Sequence, residues 1–153
     1  MSVYKHFDTL QVHAGHKADP ATGSCATPLY QTASFRFRDM DHAGRLFQLQ
    51  EEGFIYSRLS NPTVSVLEER LAALEGCSAA LAVSSGQAAL FLTISNLALP
   101  GDNMVTFPSL YGGTYTLFRD RFHDFGISFR FAPGKETADL APLIDSRTKG
   151  VFV

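Results

Sequence analysis

The stretch that most constrains this chain is Ala79–Leu97. A short apolar run, Ala79–Val83, passes through Ser84, Ser85, Gly86 and Gln87 into a long apolar segment. The first run suits a buried strand. The second carries Ala88, Ala89, Leu90, Phe91, Leu92, Ile94 and Leu97, and is apolar nearly all round, as in a buried helix. The expected unit is strand Ala79–Val83, a tight turn, and helix Gln87–Leu97. The first N–H groups of such a helix have no acceptor inside it, and with the positive end of the dipole they suit a phosphate. Gly86 would let the backbone approach an anion with no Cβ in the way. The same outline serves as a plain connection in a parallel sheet, so the turn alone leaves both readings open.

The segments around it alternate in type. Asn61 can cap a helix that starts at Pro62, runs through Val64, Leu67, Leu71 and Leu74, and stops at Gly76. Glu68, Glu69 and Arg70 lie off that face and are expected in solvent. Beyond Leu97 the pattern predicts a turn at Pro100–Asn103 and a strand at Met104–Phe107. A helix of roughly Thr114–Asp124, ended by Gly126, follows, with Phe118, Phe122 and Phe125 along one side. Ile127, Phe129 and Phe131 alternate as in a strand. Leu140, Leu143 and Ile144 suit a short helix, and Gly150–Val153 begins another strand. Strands alternating with helices argue for an α/β layer with a mostly parallel sheet. Ligands of such sheets sit beyond the carboxyl ends of the strands. Both Ser84–Gln87 and Pro108–Gly113 follow an expected strand and belong on that edge.

Residues 1–60 read differently. Turn signals at Asp19-Pro20, Thr22-Gly23, Thr27-Pro28 and Glu52-Gly53 interrupt them, and one helix is expected at about Asp39–Gln50, capped by Asp39. Met40, Ala43, Leu46 and Phe47 share a face of that helix. So much irregular chain suits an arm packed on a neighbouring subunit, or a loose extension. The expected organisation is an arm, 1–60, and the first part of an α/β domain, 61–153. The chain closes on an apolar β-type run, Gly150–Val153, and is expected to be the front part of a longer protein.

Composition narrows the function classes. Net charge is −2 with no basic stripe, which argues against a nucleic-acid partner. Cys25 and Cys77 are isolated and fit a reduced, cytoplasmic protein. The five histidines form no metal motif. No apolar run approaches membrane-spanning length, and the opening residues lack a signal-peptide core. GxGxxG, GxxxxGK[ST] and GxSxG are all missing.

Three pieces can still carry chemistry. Tyr56 and Arg58 offer a hydroxyl and a planar guanidinium matched to phosphate, although residue type alone equally fits an exposed loop. Ser84–Gln87 offers backbone donors. Tyr111, followed by Gly112 and Gly113, can lay its ring on a flat ligand or turn it into the core. Together they fit a planar phosphorylated cofactor, without saying which.

The run Tyr56-Ser57-Arg58-Leu59-Ser60-Asn61-Pro62-Thr63, then Leu71–Gly76, Ser84–Ala89 and Ser109–Tyr115 resembles the Cys/Met-metabolism family of pyridoxal-phosphate enzymes. Leu10–Gly15 and Pro28–Thr32 are similar to that family's opening segment. Within the family, Ser84–Ala89, Asp41-His42-Ala43 and Leu110–Tyr115 look most like the O-acetylhomoserine sulfhydrylases. Cystathionine γ-synthases and O-succinylhomoserine sulfhydrylases are the alternatives. Methionine γ-lyases are another, although they carry Cys where this chain has Gly113.

The resemblance implies pyridoxal-phosphate-dependent transferase fold type I and pyridoxal 5'-phosphate as cofactor. Ser85, Gly86 and Gln87 would hold its phosphate, the last two through backbone N–H groups. Tyr111 would stack on its ring and assist proton transfer. Tyr56 and Arg58 would reach the phosphate of a neighbouring subunit, making a dimer the minimal unit and a dimer of dimers the usual assembly. The implied reaction is γ-replacement on O-acetylhomoserine by sulfide or a thiol. The family's Schiff-base Lys and the Arg for the substrate carboxylate are expected beyond residue 153. Neither Lys135 nor Lys149 matches that Lys, so these residues alone are expected to be inactive. A non-catalytic fragment or assembly module is the reading from another class.

Overall fold

The computed structural model describes residues 6–153, so the first five residues of the expected arm lie outside the described residues. The chain divides into two compact units, one ending at Ala82 and one beginning at Val83.

In the first unit, α1 (Phe7–His13), α2 (Met40–Phe47) and α3 (Pro62–Glu75) are joined by irregular chain. Helix α1 was not expected. Its N-cap position holds His6, which makes no side-chain capping bond, so no start signal marks it. It packs on α3 through the buried Ala14 and through Gly15. Helix α2 starts where Asp39 predicts, with the Asp39 carboxylate accepting from His42 N at 2.7 Å. It stops three residues short of Gln50. Leu49 takes φ 57° while its N–H donates to Leu46 O and that of Gln50 donates to Arg45 O. That is a Schellman ending with a leucine in the left-handed position usually held by glycine. Ala43 and Leu46 are buried, whereas Met40 and Phe47 on the expected apolar face are exposed.

Helix α3 matches its signals at both ends. Asn61 Oδ1 accepts from Thr63 N at 2.9 Å, and Gly76 takes φ 67°. Its flank departs from expectation, because Glu68 and Arg70 are partly buried and bonded. Glu68 Oε1 accepts from Ala82 N at 2.8 Å, and Arg70 Nε donates to Ala14 O at 2.9 Å.

The second unit holds α4 (Gly86–Leu97), β1 (Asn103–Thr106), α5 (Gly112–Thr116), a π-helical turn (Leu117–Arg121), α6 (Phe122–Asp124), β2 (Ser128–Phe131), two 3-10 turns and β3 (Thr148–Phe152). The strands form one parallel sheet in the order β2-β1-β3. Central β1 is buried along its length, as a strand covered on both faces must be. Met104 faces a cluster of Ile94, Ala98, Phe118, Phe122 and Ile127, and Val105 faces Ala132 and Leu140. Phe118 stacks on Phe129 at 4.0 Å between centroids. At the amino edge the buried Asn103 is satisfied, its Nδ2 donating to Asp145 and its Oδ1 accepting from Thr148 Oγ1.

Three expectations are corrected in or beside this unit. Ala79–Val83 is not a strand. It pairs with no neighbour among the described residues, and Ala79–Leu81 are exposed; without a ladder its apolar content cannot make a strand. Helix α4 is not buried all round. Ile94 is buried, but Leu92 and Leu97 are each 51% exposed, because the three-stranded sheet offers α4 cover on one side. The single helix expected at Thr114–Asp124 begins at Gly112 and contains the π-helical turn, and Phe125 is exposed rather than part of its buried side.

Candidate functional site

The second unit assembles a site from the start of α4 and the loop that leaves the carboxyl end of β1. Ser85 caps α4 with extended backbone, and its Oγ accepts from Ala88 N at 3.0 Å. The cap consumes one acceptor function and leaves the Ser85 O–H able to donate. The N–H groups of Gly86 and Gln87 have no acceptor among the described residues. A Cβ added to Gly86 would meet nothing within 4 Å, so open space lies beside these donors. Two unmatched N–H groups, a hydroxyl and a helix N-terminus form a donor set chemically matched to a phosphate dianion.

Tyr111 precedes α5 and is 78% exposed. It does not turn into the core. A Cβ on Gly113 would lie 2.9 Å from Tyr111 Cε1 and 3.6 Å from Gln87 Nε2, so the ring lies close against the glycine backbone. Gln87 Nε2 also donates to Thr114 Oγ1 at 3.0 Å. Of the residues singled out from sequence, Ser85, Gly86, Gln87 and Tyr111 therefore converge. Of the two loops expected after a strand, only Pro108–Gly113 follows one; the Ser84–Gln87 turn is brought to it by side-chain contact.

Tyr56 and Arg58 lie together in the first unit, in a turn pinned from several sides. Tyr56 forms a lone antiparallel bridge with Ser34, and its carbonyl accepts from Leu59 N and Ser60 N. Ser57 N donates to Ala33 O at 2.9 Å, and Ser57 Oγ donates to Thr32 O. Asn61 Nδ2 donates to Tyr30 O and to Ser57 Oγ, each at 2.9 Å. One residue thus caps α3 and braces the turn. The Arg58 guanidinium lies 5.5 Å from the Tyr56 ring centroid and pairs with no carboxylate among the described residues. It is an exposed cation held on a braced turn.

The residues that sequence reasoning passed over are Thr114 and the side chain of Gln87, and it named Gly113 only as a neighbour of Tyr111 and a family marker, not as the surface the ring lies on. Their only signal was a polar residue inside an otherwise apolar helix start, and a Thr lodged between Gly113 and Tyr115. Neither distinguishes a contact from a solvated side chain. Lys149 is accounted for by Asp102, 3.7 Å away. Cys25 and Cys77 are both free and exposed. No helix of the described residues is long and apolar enough to cross a membrane.

Comparison with known proteins gives this geometry a context. The family model described as Cys/Met metabolism PLP-dependent enzyme matches residues 8–153. The homocysteine synthase of Schizosaccharomyces pombe is 54% identical over 149 residues, which is 97% of this chain and 35% of that protein. The O-acetyl-L-homoserine sulfhydrylase 1 of Thermus thermophilus is 49% identical over 148 residues, covering 96% of this chain and 35% of that protein. A solved structure from Campylobacter jejuni, described as an O-acetylhomoserine (thiol)-lyase with a pyridoxyl-lysine monophosphate, superposes with TM-score 0.91. It is 40% identical and covers 98% of this chain and 37% of that one. The chain thus spans about a third of the length of the relatives it matches. The expected type I fold, in its first portion, is the one observed.

Proposed function

The chain belongs to the Cys/Met metabolism family of PLP-dependent enzymes, and from that premise we propose the whole protein's reaction. It replaces the γ-substituent of O-acetylhomoserine with sulfide or a thiol, giving homocysteine or methionine and releasing acetate. The observation that carries this reading is identity near 50% along almost the whole chain to relatives named homocysteine synthase and O-acetyl-L-homoserine sulfhydrylase.

The residues of this chain take these parts. The N–H groups of Gly86 and Gln87 and the hydroxyl of Ser85 bind the cofactor phosphate, and the start of α4 adds its dipole. The Tyr111 ring covers the flat face of the cofactor, which orients it and excludes water on that side. Its hydroxyl holds or passes a proton where the γ-substituent departs. Tyr56 and Arg58 reach the phosphate bound by a neighbouring subunit, so two copies complete each site and the arm of 1–60 lies at their contact. The assembly is a dimer of dimers in the cytoplasm. Pyridoxal phosphate bound there supplies the electron-accepting ring that the γ-replacement needs.

The test is an assay of the full-length protein with sulfide and either O-acetyl- or O-succinylhomoserine. Homocysteine formed with release of acetate is expected. Turnover confined to the succinyl ester, or to cleavage of methionine, would overturn the reading.

A further inference from the structure

We infer that the Gln87 side chain and the Thr114 hydroxyl are a positioning pair that sets the spacing between the phosphate-binding start of α4 and the Tyr111 ring. The inference rests on the pyridoxal phosphate reading above.

Gln87 is the second residue of α4, where backbone donation to an anion needs no side chain. Its side chain is nonetheless engaged, through the 3.0 Å bond from Nε2 to Thr114 Oγ1. Thr114 is only 5% exposed, in the first turn of α5. No other side chain among the described residues bonds that hydroxyl. A buried hydroxyl without a partner is costly, so the bond has a defined geometry to hold. It joins two segments distant in sequence, the start of α4 and the start of α5. Tyr111 stands immediately before α5, and its exposed ring has little packing to fix it. The close approach over Gly113 puts ring and amide within a few ångströms of one point: a Cβ there would be 2.9 Å from Tyr111 Cε1 and 3.6 Å from Gln87 Nε2. Removing either partner frees the ring loop to drift from the phosphate donors. The cofactor then meets a site whose two halves must be ordered at binding.

The experiment uses the full-length protein carrying Gln87→Met, Thr114→Val, Thr114→Ser, or Gln87→Met with Thr114→Val. The dissociation constant of pyridoxal phosphate is measured by titrating the apo-protein, and the apo-protein's unfolding midpoint is recorded beside it. Gln87→Met and Thr114→Val are each expected to weaken binding by roughly three- to tenfold. Thr114→Ser, which keeps the hydroxyl, stays within about twofold of wild type. The double variant binds no more weakly than the worse single one, because one interaction is lost in all three. Gln87→Met, which leaves the buried Thr114 hydroxyl unpaired, lowers the apo midpoint slightly, whereas Thr114→Val, which removes that hydroxyl, leaves it near the wild-type value although both lose affinity. If Thr114→Val does not fold, Gln87→Met, at a partly exposed position, decides the matter. Unchanged binding in the single variants, additive losses, or a midpoint that falls in step with affinity would overturn the positioning role. A wild-type protein that takes up no pyridoxal phosphate would overturn the functional reading and the pair with it. Uptake by wild type with indifferent variants would overturn only the pair.

Discussion

A Cβ placed on Gly15 would lie 2.8 Å from the backbone nitrogen of Arg70, and equally close to Glu69 Cβ and Val66 O. Gly15 also holds φ +70°. Just before it, the Ala14 carbonyl accepts from Arg70 Nε at 2.9 Å. The exit of α1 is therefore pressed onto the backbone of α3 at a point where only glycine fits. Gly15→Ala is expected to cost roughly 2–4 kcal/mol, from left-handed strain and overlap together. A lowered unfolding midpoint of the full-length protein, with protease cutting first near α1, checks this. A midpoint equal to wild type would contradict it.

The core of the second unit centres on Phe118, which is fully buried, stacked on Phe129 and edge-on to Phe152 at 5.1 Å. Truncating it opens a cavity in the layer that covers the sheet. Phe118→Ala is expected to cost about 3–5 kcal/mol. Phe125→Ala, at an exposed ring of the same helical stretch, should cost far less, and urea unfolding of the two variants measures the contrast.

Asp145 clamps the amino edge of the sheet. It accepts from Asn103 Nδ2 at 2.9 Å and Arg147 N at 2.8 Å, and pairs with Arg130 Nη2 at 2.7 Å. Chiefly the Asn103 bond, then the Arg147 N–H and Arg130, hold its carboxyl well below the ordinary value of 3.8. A folded-state value depressed in this way contributes stability that is complete above the unfolded-state value and lost as pH falls through the folded one. Stability is expected to hold down to about pH 5 and to decline progressively below about pH 4. Asp145→Asn should lower the midpoint at neutral pH and flatten the acid limb. An acid limb as steep as wild type would show that other carboxylates govern it.

Arg58 stands on a turn braced by Asn61, with its guanidinium paired to no carboxylate among the described residues. If it reaches a phosphate across a subunit boundary, Arg58→Ala removes a charge-assisted bond and should weaken cofactor binding by roughly ten- to a hundredfold. Cofactor occupancy after dialysis gives the answer, and full retention would contradict the cross-subunit role.

Much of the helical punctuation was legible because it is written within a few residues. Asp39, Asn61 and Gly76 each act through their own backbone neighbourhood, and each ends or starts a helix as its chemistry requires. The same locality explains the errors. Ala79–Val83 has the composition of a strand, but pairing needs a neighbour that composition cannot supply. The apolar residues of α4 announce a hydrophobic helix without saying which of its sides the sheet will cover. Helix α1 lacks a cap, and its stability comes from contact with α3 some fifty residues later.

The candidate site divides along the same line. Sequence alone determined that a Ser-Gly-Gln turn leading into an apolar helix, a tyrosine beside two glycines and a Tyr–Arg pair were present, since these are properties of residue type and short spacing. Tertiary structure decided that Tyr111 stands outside the core, that Gly113 is the surface its ring lies against, and that Gln87 reaches Thr114. The last of these joins segments more than twenty residues apart, and its geometry is set by how α4 and α5 pack. A linear pattern can state which groups are available, but the distance between them exists only once the chain has folded.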